Sequence, residues 1–270
     1  MACWASSAAL VLATDVDGTM VSSDYLVPPE AAALAHLLEE AGAVIVLVTS
    51  KTLDEARIYL EEKLRLPPCP GYAAIVEEGG AVYSPSPGVL PEGLAELAPR
   101  IDPWMLAERL SPPGCSLKPV NAMTPSEVSA LTGLPPREAE AARRRLYTAA
   151  LHGPRRCLEE AYRRARSLGL YARLGRIFLM AGRVPGKAAA LRQLLSRSPL
   201  LRSAPVAALG DDPMDEEMLN EADEAIVVPG PEGPRAKPRR TDYHVAPASP
   251  PRGWVEAVRG LLWGLGGLHG

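Results

Sequence analysis

A chain of 270 residues is long enough for one large domain or two modest ones, and its 47% hydrophobic content supports a substantial core. Its net charge of -3 and its dispersed basic residues argue against a nucleic-acid-binding protein and against a protein that binds anionic membrane surfaces. No apolar run approaches the roughly 20 residues that a membrane-spanning helix needs, so we expect a chain that does not interact with the membrane.

The first 80 residues alternate between predicted strands and helices. Apolar runs predict strands, and apolar residues at helical spacing predict helices. The predicted strands are 8–13, 43–48 and 72–76, and the predicted helices are 28–40 and 53–64. Strands and helices in this order predict a doubly wound parallel sheet with right-handed crossovers.

The alternation stops after residue 82, where the Ser-Pro-Ser-Pro-Gly segment 84–88 breaks the chain. A mixed region follows, with predicted helices at 103–110, 125–132, 136–147 and 158–168 and a predicted strand at 176–180. The alternation then returns, with helices at 187–195 and 215–220 and strands at 206–209 and 225–228. We therefore predict a core domain interrupted by an inserted domain.

The four cysteines show no metal-site spacing, because none of them forms a CxxC pair. They are Cys3, Cys69, Cys115 and Cys157. A reducing, cytoplasmic compartment fits this pattern best. We interpret the apolar N-terminal segment as the first core strand, since it lacks the basic region of a secretion signal.

Polar side chains stand where the predicted core strands end. Asp15 and Asp17 follow the first strand, the Thr-Ser-Lys-Thr segment 49–52 follows the second, Lys187 begins a helix, and the Asp-Asp pair 211–212 follows a later strand. Each of these features taken alone also suits an ordinary turn or helix cap. Because the carboxyl ends of parallel strands share one edge, we expect the groups to meet in a crevice suited to metal-assisted phosphoryl transfer.

The order and spacing of these residues resemble the motifs of the haloacid dehalogenase-like hydrolases. The four motifs match 15–19, 49–50, Lys187 and 210–215. The resemblance implies that Asp15 attacks phosphorus, and that Asp17 acts first as general acid and then as general base. It also implies that Thr49 or Ser50 binds the phosphoryl group and that Lys187 stabilises the anionic intermediate.

The same resemblance implies a Mg2+ cofactor and a fold. Asp15, Asp211 and the backbone carbonyl of Asp17 would hold the ion, and Asp215 would support these ligands without binding the ion itself. The fold implied is an α/β class with a doubly wound parallel-sheet core, Rossmann-like and of haloacid dehalogenase type, and an inserted α+β cap. We assign 8–83 and 183–270 to the core and 84–182 to the cap.

Within that superfamily the sequence looks like mannosyl-3-phosphoglycerate phosphatase. The similar segments are 49–52, 77–81 and the cap stretch 123–135. Glu78 and Met214 stand where that family usually has Asn, and 146–150 replaces a more acidic segment. The resemblance implies a small phosphorylated sugar or glycerate as the substrate.

A glycerate substrate carries a carboxylate, which arginine binds in bidentate fashion. Arg173 and Arg176 beside the last cap strand are our candidates for this contact, and Lys51 is a further substrate candidate. We interpret the arginine run 143–145 as a solvated helical face.

Other functions stay open at the level of sequence. Glucosyl-3-phosphoglycerate and sucrose phosphate differ from the favoured substrate only in their contacts with the cap. A phosphomannomutase-like transferase would share the nucleophile, and a degenerate scaffold would bind a phosphorylated ligand without turnover. The intact Asp15, Asp17, Lys187 and Asp211 argue against the scaffold, because a binding module has no need for both carboxylates of the first motif.

Overall fold

The computed structural model describes residues 7–68 and 71–267, and in this part of the chain twelve strands form two sheets. In chain order they are β1 (Leu10–Thr14), β2 (Ala43–Val48), β3 (Tyr72–Val76), β4 (Ala81–Tyr83), β5 (Leu94–Glu96), β6 (Lys118–Pro119), β7 (Thr148–His152), β8 (Tyr171–Leu174), β9 (Phe178–Gly182), β10 (Val206–Gly210), β11 (Glu224–Val227) and β12 (His244–Val245).

The larger sheet has eight strands in the order β12-β11-β10-β1-β2-β3-β4-β5. The strands from β12 to β3 run parallel, and β4 and β5 add an antiparallel edge. Val11 of the central β1 lies opposite Val44 on one side and Val206 on the other. The sheet therefore has the doubly wound parallel arrangement that the sequence predicts.

The described helices, in chain order, are α1 (Pro29–Glu40), α2 (Leu53–Arg57), α3 (Pro103–Leu110), α4 (Pro125–Thr132), α5 (Pro136–Ala142), α6 (Arg155–Ser167), α7 (Lys187–Arg197), α8 (Glu216–Glu221) and α9 (Arg252–Gly267). A π-helical turn, Ile58–Lys63, continues α2. None of these helices has the length and apolarity that crossing a bilayer requires.

Successive residues of the central strand point to opposite faces of the large sheet, and each face has its own core. Leu12 packs in a cluster with Leu38 of α1 and Trp254 of α9, whereas Val11 packs with Leu191 of α7 and Leu219 of α8. Helices on both faces explain why the central strands are uniformly apolar.

The smaller sheet is antiparallel, in the order β6-β7-β9-β8. Helices α3 and α6 cover one face and form a core with Leu151 and Leu179. Helices α4 and α5 belong to a second apolar cluster with Ala150, to which Phe178 and Met180 add partly buried side chains. This is the α+β unit expected of the insert.

Several elements differ from the sequence predictions. The helix predicted over 136–147 ends at Ala142, and β7 and β8 form in stretches where no strand was predicted. Strand β5 belongs to the large sheet although it lies inside the predicted cap range of 84–182. The large sheet thus extends past residue 84, where the cap was predicted to start, and the division into a core and a cap domain stays a prediction.

A disulfide joins Cys115 before β6 to Cys157 of α6. Disulfides are rare in reducing compartments, except in hyperthermophiles, so this bond weighs against the expected ordinary cytoplasm. The compartment stays a prediction. Cys3 and Cys69, which were part of that expectation, lie outside the described residues.

Candidate active site

The carboxyl edge of the large sheet gathers the charged groups that the sequence placed after separate strands. Lys187, the first residue of α7, is buried between two carboxylates. Its Nζ lies 2.7 Å from Asp15 Oδ1 and 2.8 Å from Asp215 Oδ1. Burial opposes the ammonium charge, but the carboxylates of Asp15 and Asp215 outweigh it and raise the pKa of Lys187. The lysine therefore remains charged in this site.

Three buried carboxylates form a cluster that suits a hard cation. Oxygen atoms of Asp15, Asp211 and Asp215 lie within 4.8 Å of one another. Asp215 is held in place by the backbone N–H groups of Asp211 and Asp212, each 3.1 Å from its Oδ2. An oxygen-only donor set without thiolate or imidazole fits Mg2+.

A glycine makes the close approach of this cluster possible. Gly18 has a φ of +85° in the turn after β1, where its N–H donates to the carbonyl of Val21. A Cβ at Gly18 would lie 2.5 Å from Asp211 Oδ2, so a larger residue would collide with that carboxylate. Thr19 in the same turn donates its hydroxyl to Asp211 Oδ1 at 3.1 Å.

Asp17 points away from the cluster and pairs with Lys51. Lys51 Nζ lies 2.9 Å from Asp17 Oδ1 and 3.7 Å from Glu55 Oε1, and it stands over the rings of Tyr25 and Tyr59. Burial opposes the charge of Lys51, but Asp17 and Glu55 outweigh it and raise its pKa. The predicted substrate residue Lys51 is thus already engaged with the predicted general acid, and its contact with substrate stays a prediction.

Thr49 and Ser50 directly follow β2, beside these groups. Thr49 is buried, and its hydroxyl accepts the backbone N–H of Lys51 at 3.1 Å. The N-cap of α2 is Thr52, which forms a capping box with Glu55. Neither Thr49 nor Ser50 caps the helix, and their predicted contact with a phosphoryl group stays a prediction.

Arg145 is a site residue that the sequence interpretation missed. Its Nη2 donates to the Ser50 carbonyl at 2.6 Å and to Thr148 Oγ1 at 2.8 Å, and its side chain is only 7% exposed. The solvated-face interpretation was therefore wrong for Arg145. The run follows the last residue of α5, so helical periodicity carries no signal for the direction in which Arg145 points.

The two arginines predicted to bind a substrate carboxylate are in different places. Arg173 of β8 reaches the core, with Nη2 3.2 Å from Asp212 Oδ2 and Nη1 3.7 Å from Glu78 Oε1. Arg176 lies exposed in the turn between β8 and β9. The structure thus brings Arg173, but not Arg176, to the carboxylates of the site.

Arg235, on the loop between β11 and β12, was also missed. Its guanidinium contacts Asp211 Oδ2 and lies 3.3 Å from Asp212 Oδ2. The sequence marked this loop only by its prolines and arginines, and a separation of 24 residues between Arg235 and Asp211 gave no signal of their contact.

A cavity of about 160 Å³ lies between the core and the cap beside Asp17. Its core side carries Ser50 and Lys51. Its cap side is mostly apolar and includes Val120, Val128, Leu134, Phe178 and Met180. Since it adjoins the predicted acid Asp17, this cavity is the candidate place for the leaving group of a substrate.

Comparisons with solved structures identify the fold. A haloacid dehalogenase-like hydrolase from Bacteroides thetaiotaomicron superposes with a TM-score of 0.69 at 16% identity, covering 93% of this chain and 98% of that one. A haloacid dehalogenase-like hydrolase from B. subtilis gives a TM-score of 0.64 at 16% identity, with coverages of 93% and 99%. BT1666 from B. thetaiotaomicron, described among phosphatases of the haloalkanoate superfamily, gives 0.63 at 18% identity and covers 96% of each chain.

No protein-family model matches the sequence, and no curated protein matches it either. The chain has the haloacid dehalogenase-like fold with a cap, which confirms the predicted fold class. Similarity at 16 to 18% identity establishes a fold and does not transfer a substrate from one protein to another.

Proposed function

We propose that this protein is a metal-dependent phosphomonoesterase that forms an aspartyl-phosphate intermediate. The observation that carries the proposal is the position of Lys187 between Asp15 and Asp215, with Asp211 completing a carboxylate cluster at the sheet edge. A structural ion pair needs one carboxylate per lysine. Three buried carboxylates share two cations, Lys187 and Arg235, which leaves negative charge that a metal cation would balance.

The residues of the chain divide the proposed reaction between them. Asp15 forms a bond from a carboxylate oxygen to phosphorus as the bond from phosphorus to the ester oxygen breaks, and Asp17 gives the departing oxygen its proton. Water then attacks phosphorus, Asp17 takes a proton from it, and the acyl phosphate bond breaks to release phosphate and restore Asp15. Lys187 provides positive charge beside the carboxylate that reacts.

Asp15, Asp211 and the carbonyl of Asp17 are the proposed Mg2+ ligands, and Asp215 orients the loop of Asp211 through its two backbone hydrogen bonds. When bound, the ion supplies electrostatic stabilisation of the phosphoryl oxygens. The Asp17 carboxylate is not part of this cluster; it pairs with Lys51 and lines the cavity. That separation lets one carboxylate act on phosphorus and the other on the leaving oxygen.

For the substrate we propose mannosyl-3-phosphoglycerate, which would yield mannosylglycerate and phosphate. The proposal is supported by the sequence resemblance and by Arg173, whose partly exposed guanidinium lies 3.2 Å from Asp212 Oδ2 beside the carboxylate cluster and is our candidate partner for a glycerate carboxylate. Glucosyl-3-phosphoglycerate and sucrose phosphate are the alternatives within the same chemistry. A phosphomannomutase-like transfer is the alternative reaction.

The test is a panel of these phosphate esters and both mannose monophosphates, assayed with Mg2+ for phosphate release and for isomerisation. Phosphate release should depend on Mg2+, stop on chelation and return when the ion is restored, with metal content checked by elemental analysis. Asp15→Asn should lower release by about 10,000-fold or more with the fold intact, because an amide supplies no nucleophilic oxygen. Activity in the folded variant, or full activity after metal removal, would contradict the proposal.

A further inference from the structure

Both oxygens of the Asp211 carboxylate are occupied by donors from the chain itself. Oδ1 accepts the hydroxyl of Thr19, and Oδ2 is in contact with the guanidinium of Arg235. The same guanidinium lies 3.3 Å from Asp212 Oδ2. A cationic side chain therefore holds an oxygen that the proposed metal site needs.

The two partners differ sharply in burial. The Asp211 side chain is 3% exposed, whereas that of Arg235 is 57% exposed. The backbone of the loop is fastened separately, because Ala236 N–H donates to the Asp211 carbonyl at 3.0 Å and Lys237 N–H donates to Glu216 Oε1 at 2.8 Å. The guanidinium has room to swing into solvent while its loop stays attached.

Lys187 provides a contrast within the same cluster. It is buried and bound to two carboxylates, so it has no path to solvent that does not leave both unpaired. Arg235 contacts Asp211 from the protein surface, so water can solvate its guanidinium when it leaves. Of these two cations, only Arg235 is placed to exchange with an ion from solution.

We propose that Arg235 is an internal counter-cation of Asp211 that a divalent metal ion must displace in order to bind. The inference rests on the metal site of the proposed function. Without metal, the arginine compensates a buried carboxylate that would otherwise be costly to hold charged. With metal, two cations compete for Asp211 Oδ2, so the arginine weakens metal binding and leaves for solvent.

The first measurement is calorimetric titration of Mn2+ or Mg2+ into the wild-type protein, Arg235→Gln and Arg239→Gln. Arg239 lies exposed in the same loop and lacks a side-chain contact to the described acids, so its variant controls for the loss of one charge. Arg235→Gln should bind metal about tenfold more tightly, because a charge-assisted contact of about 1.5 kcal/mol no longer has to be broken. Arg239→Gln should stay within about twofold of the wild type.

The second measurement follows displacement in the wild-type chain. Phenylglyoxal labels free guanidinium groups, and peptide mass spectrometry reports the rate at each arginine. The rate at Arg235 should rise when Mn2+ is added, while the rate at Arg239 should not change. A long-range charge effect alone would tighten metal binding in the variant without changing this reactivity.

The outcomes separate the inference from the proposed function. Metal binding that is equal or weaker in Arg235→Gln, or a labelling rate at Arg235 that is unchanged or lower with Mn2+, overturns the counter-cation role while leaving the metal site standing. If neither the wild-type protein nor either variant binds Mn2+ or Mg2+ at millimolar concentration, the metal site itself is overturned, and the inference with it.

Discussion

The floor of the crevice and the cap face above it are built from different kinds of residue. On the floor, buried charges are paired with other groups of the core, as in the contacts of Lys187 with Asp15 and of Lys51 with Asp17. The cap presents apolar side chains such as Phe178 and Met180 to the cavity. Paired charges fix positions for chemistry, whereas an apolar wall sorts ligands by shape, so we expect catalysis to depend on the floor and selectivity to depend on the cap.

A buried core carboxylate makes several of the contacts that join the two regions. Glu77, in the turn after β3, accepts backbone N–H groups of Leu146, Tyr147 and Thr148 at 2.8 to 3.0 Å. It also accepts the Thr148 hydroxyl at 2.9 Å. The cap strand β7 thus begins on a buried anchor of the core, which keeps the apolar wall in register with the charged floor.

The largest expected effect is on the floor. Asp17→Asn should lower kcat by roughly 100- to 10,000-fold on every substrate, because general acid-base catalysis is worth about that much. Asp24→Asn, an exposed aspartate farther along the same segment, is the matched control and should leave kcat unchanged. Phosphate-release kinetics measure both variants, and an unchanged kcat in Asp17→Asn would move the acid-base role to another group.

The next prediction separates the cap from the floor. Arg173→Ala should lower kcat/KM for a glycerate-bearing phosphate by at least about 30-fold, because a lost contact with a buried charge costs roughly 2 kcal/mol or more. Hydrolysis of para-nitrophenyl phosphate should fall far less. Arg176→Ala is the control, because Arg176 lies exposed in a turn. Equal losses on both substrates would show that Arg173 supports the floor and does not select the substrate.

Substitutions of Glu77, the anchor between the two regions, should lower the stability of the protein. Glu77→Ala leaves three backbone N–H groups, two of them buried, without their acceptor and should lower the free energy of unfolding by about 2 to 3 kcal/mol. Glu77→Gln keeps one acceptor oxygen, so its free energy of unfolding should fall by less than that of Glu77→Ala. Glu96→Ala removes a solvent-exposed ion pair with Arg100 and should leave the free energy of unfolding nearly unchanged, because solvent screens such a pair. Urea denaturation compares the three, and a Glu77→Ala protein as stable as the control would remove the anchor role.

The smallest effect concerns a buried carboxyl group that, unlike the acids of the floor, has no cationic partner in the described part of the chain. Both carboxylate oxygens of Glu39 on α1 lack a hydrogen-bond partner among the described residues, and burial raises its pKa to about 8. An acid with a raised folded pKa stabilises the fold below its unfolded pKa near 4.5, and this contribution is lost as the pH rises toward 8. Glu39→Gln should therefore gain about 1 to 2 kcal/mol relative to wild type between pH 5 and pH 8. The exposed neighbour variant Glu40→Gln should show no such gain, and parallel pH dependences for Glu39→Gln and wild type would contradict the prediction.

The sequence predicted the core well because its elements are encoded locally. Continuous apolar runs mark β1, β2 and β3, since strands buried on both faces tolerate few polar residues. The sequence did not reveal β7, because its Thr-Ala-Ala-Leu-His segment follows a helix without a strong break and carries little β preference. It did not reveal the disulfide either, since a separation of 42 residues says nothing about which cysteines meet.

By itself, the sequence determined which chemical groups stand at the ends of the core strands, because parallel strands bring Asp15 and Asp211 to one edge by topology alone. Only the tertiary structure decided which of those groups touch. Three contacts join groups from separate loops or from both the core and the cap. They are the pairing of Asp17 with Lys51, the contact of the buried Arg145 with the Ser50 carbonyl, and the contact of Arg235 with Asp211. Such contacts depend on how elements pack in space, and neither residue spacing nor hydrophobic periodicity records that packing.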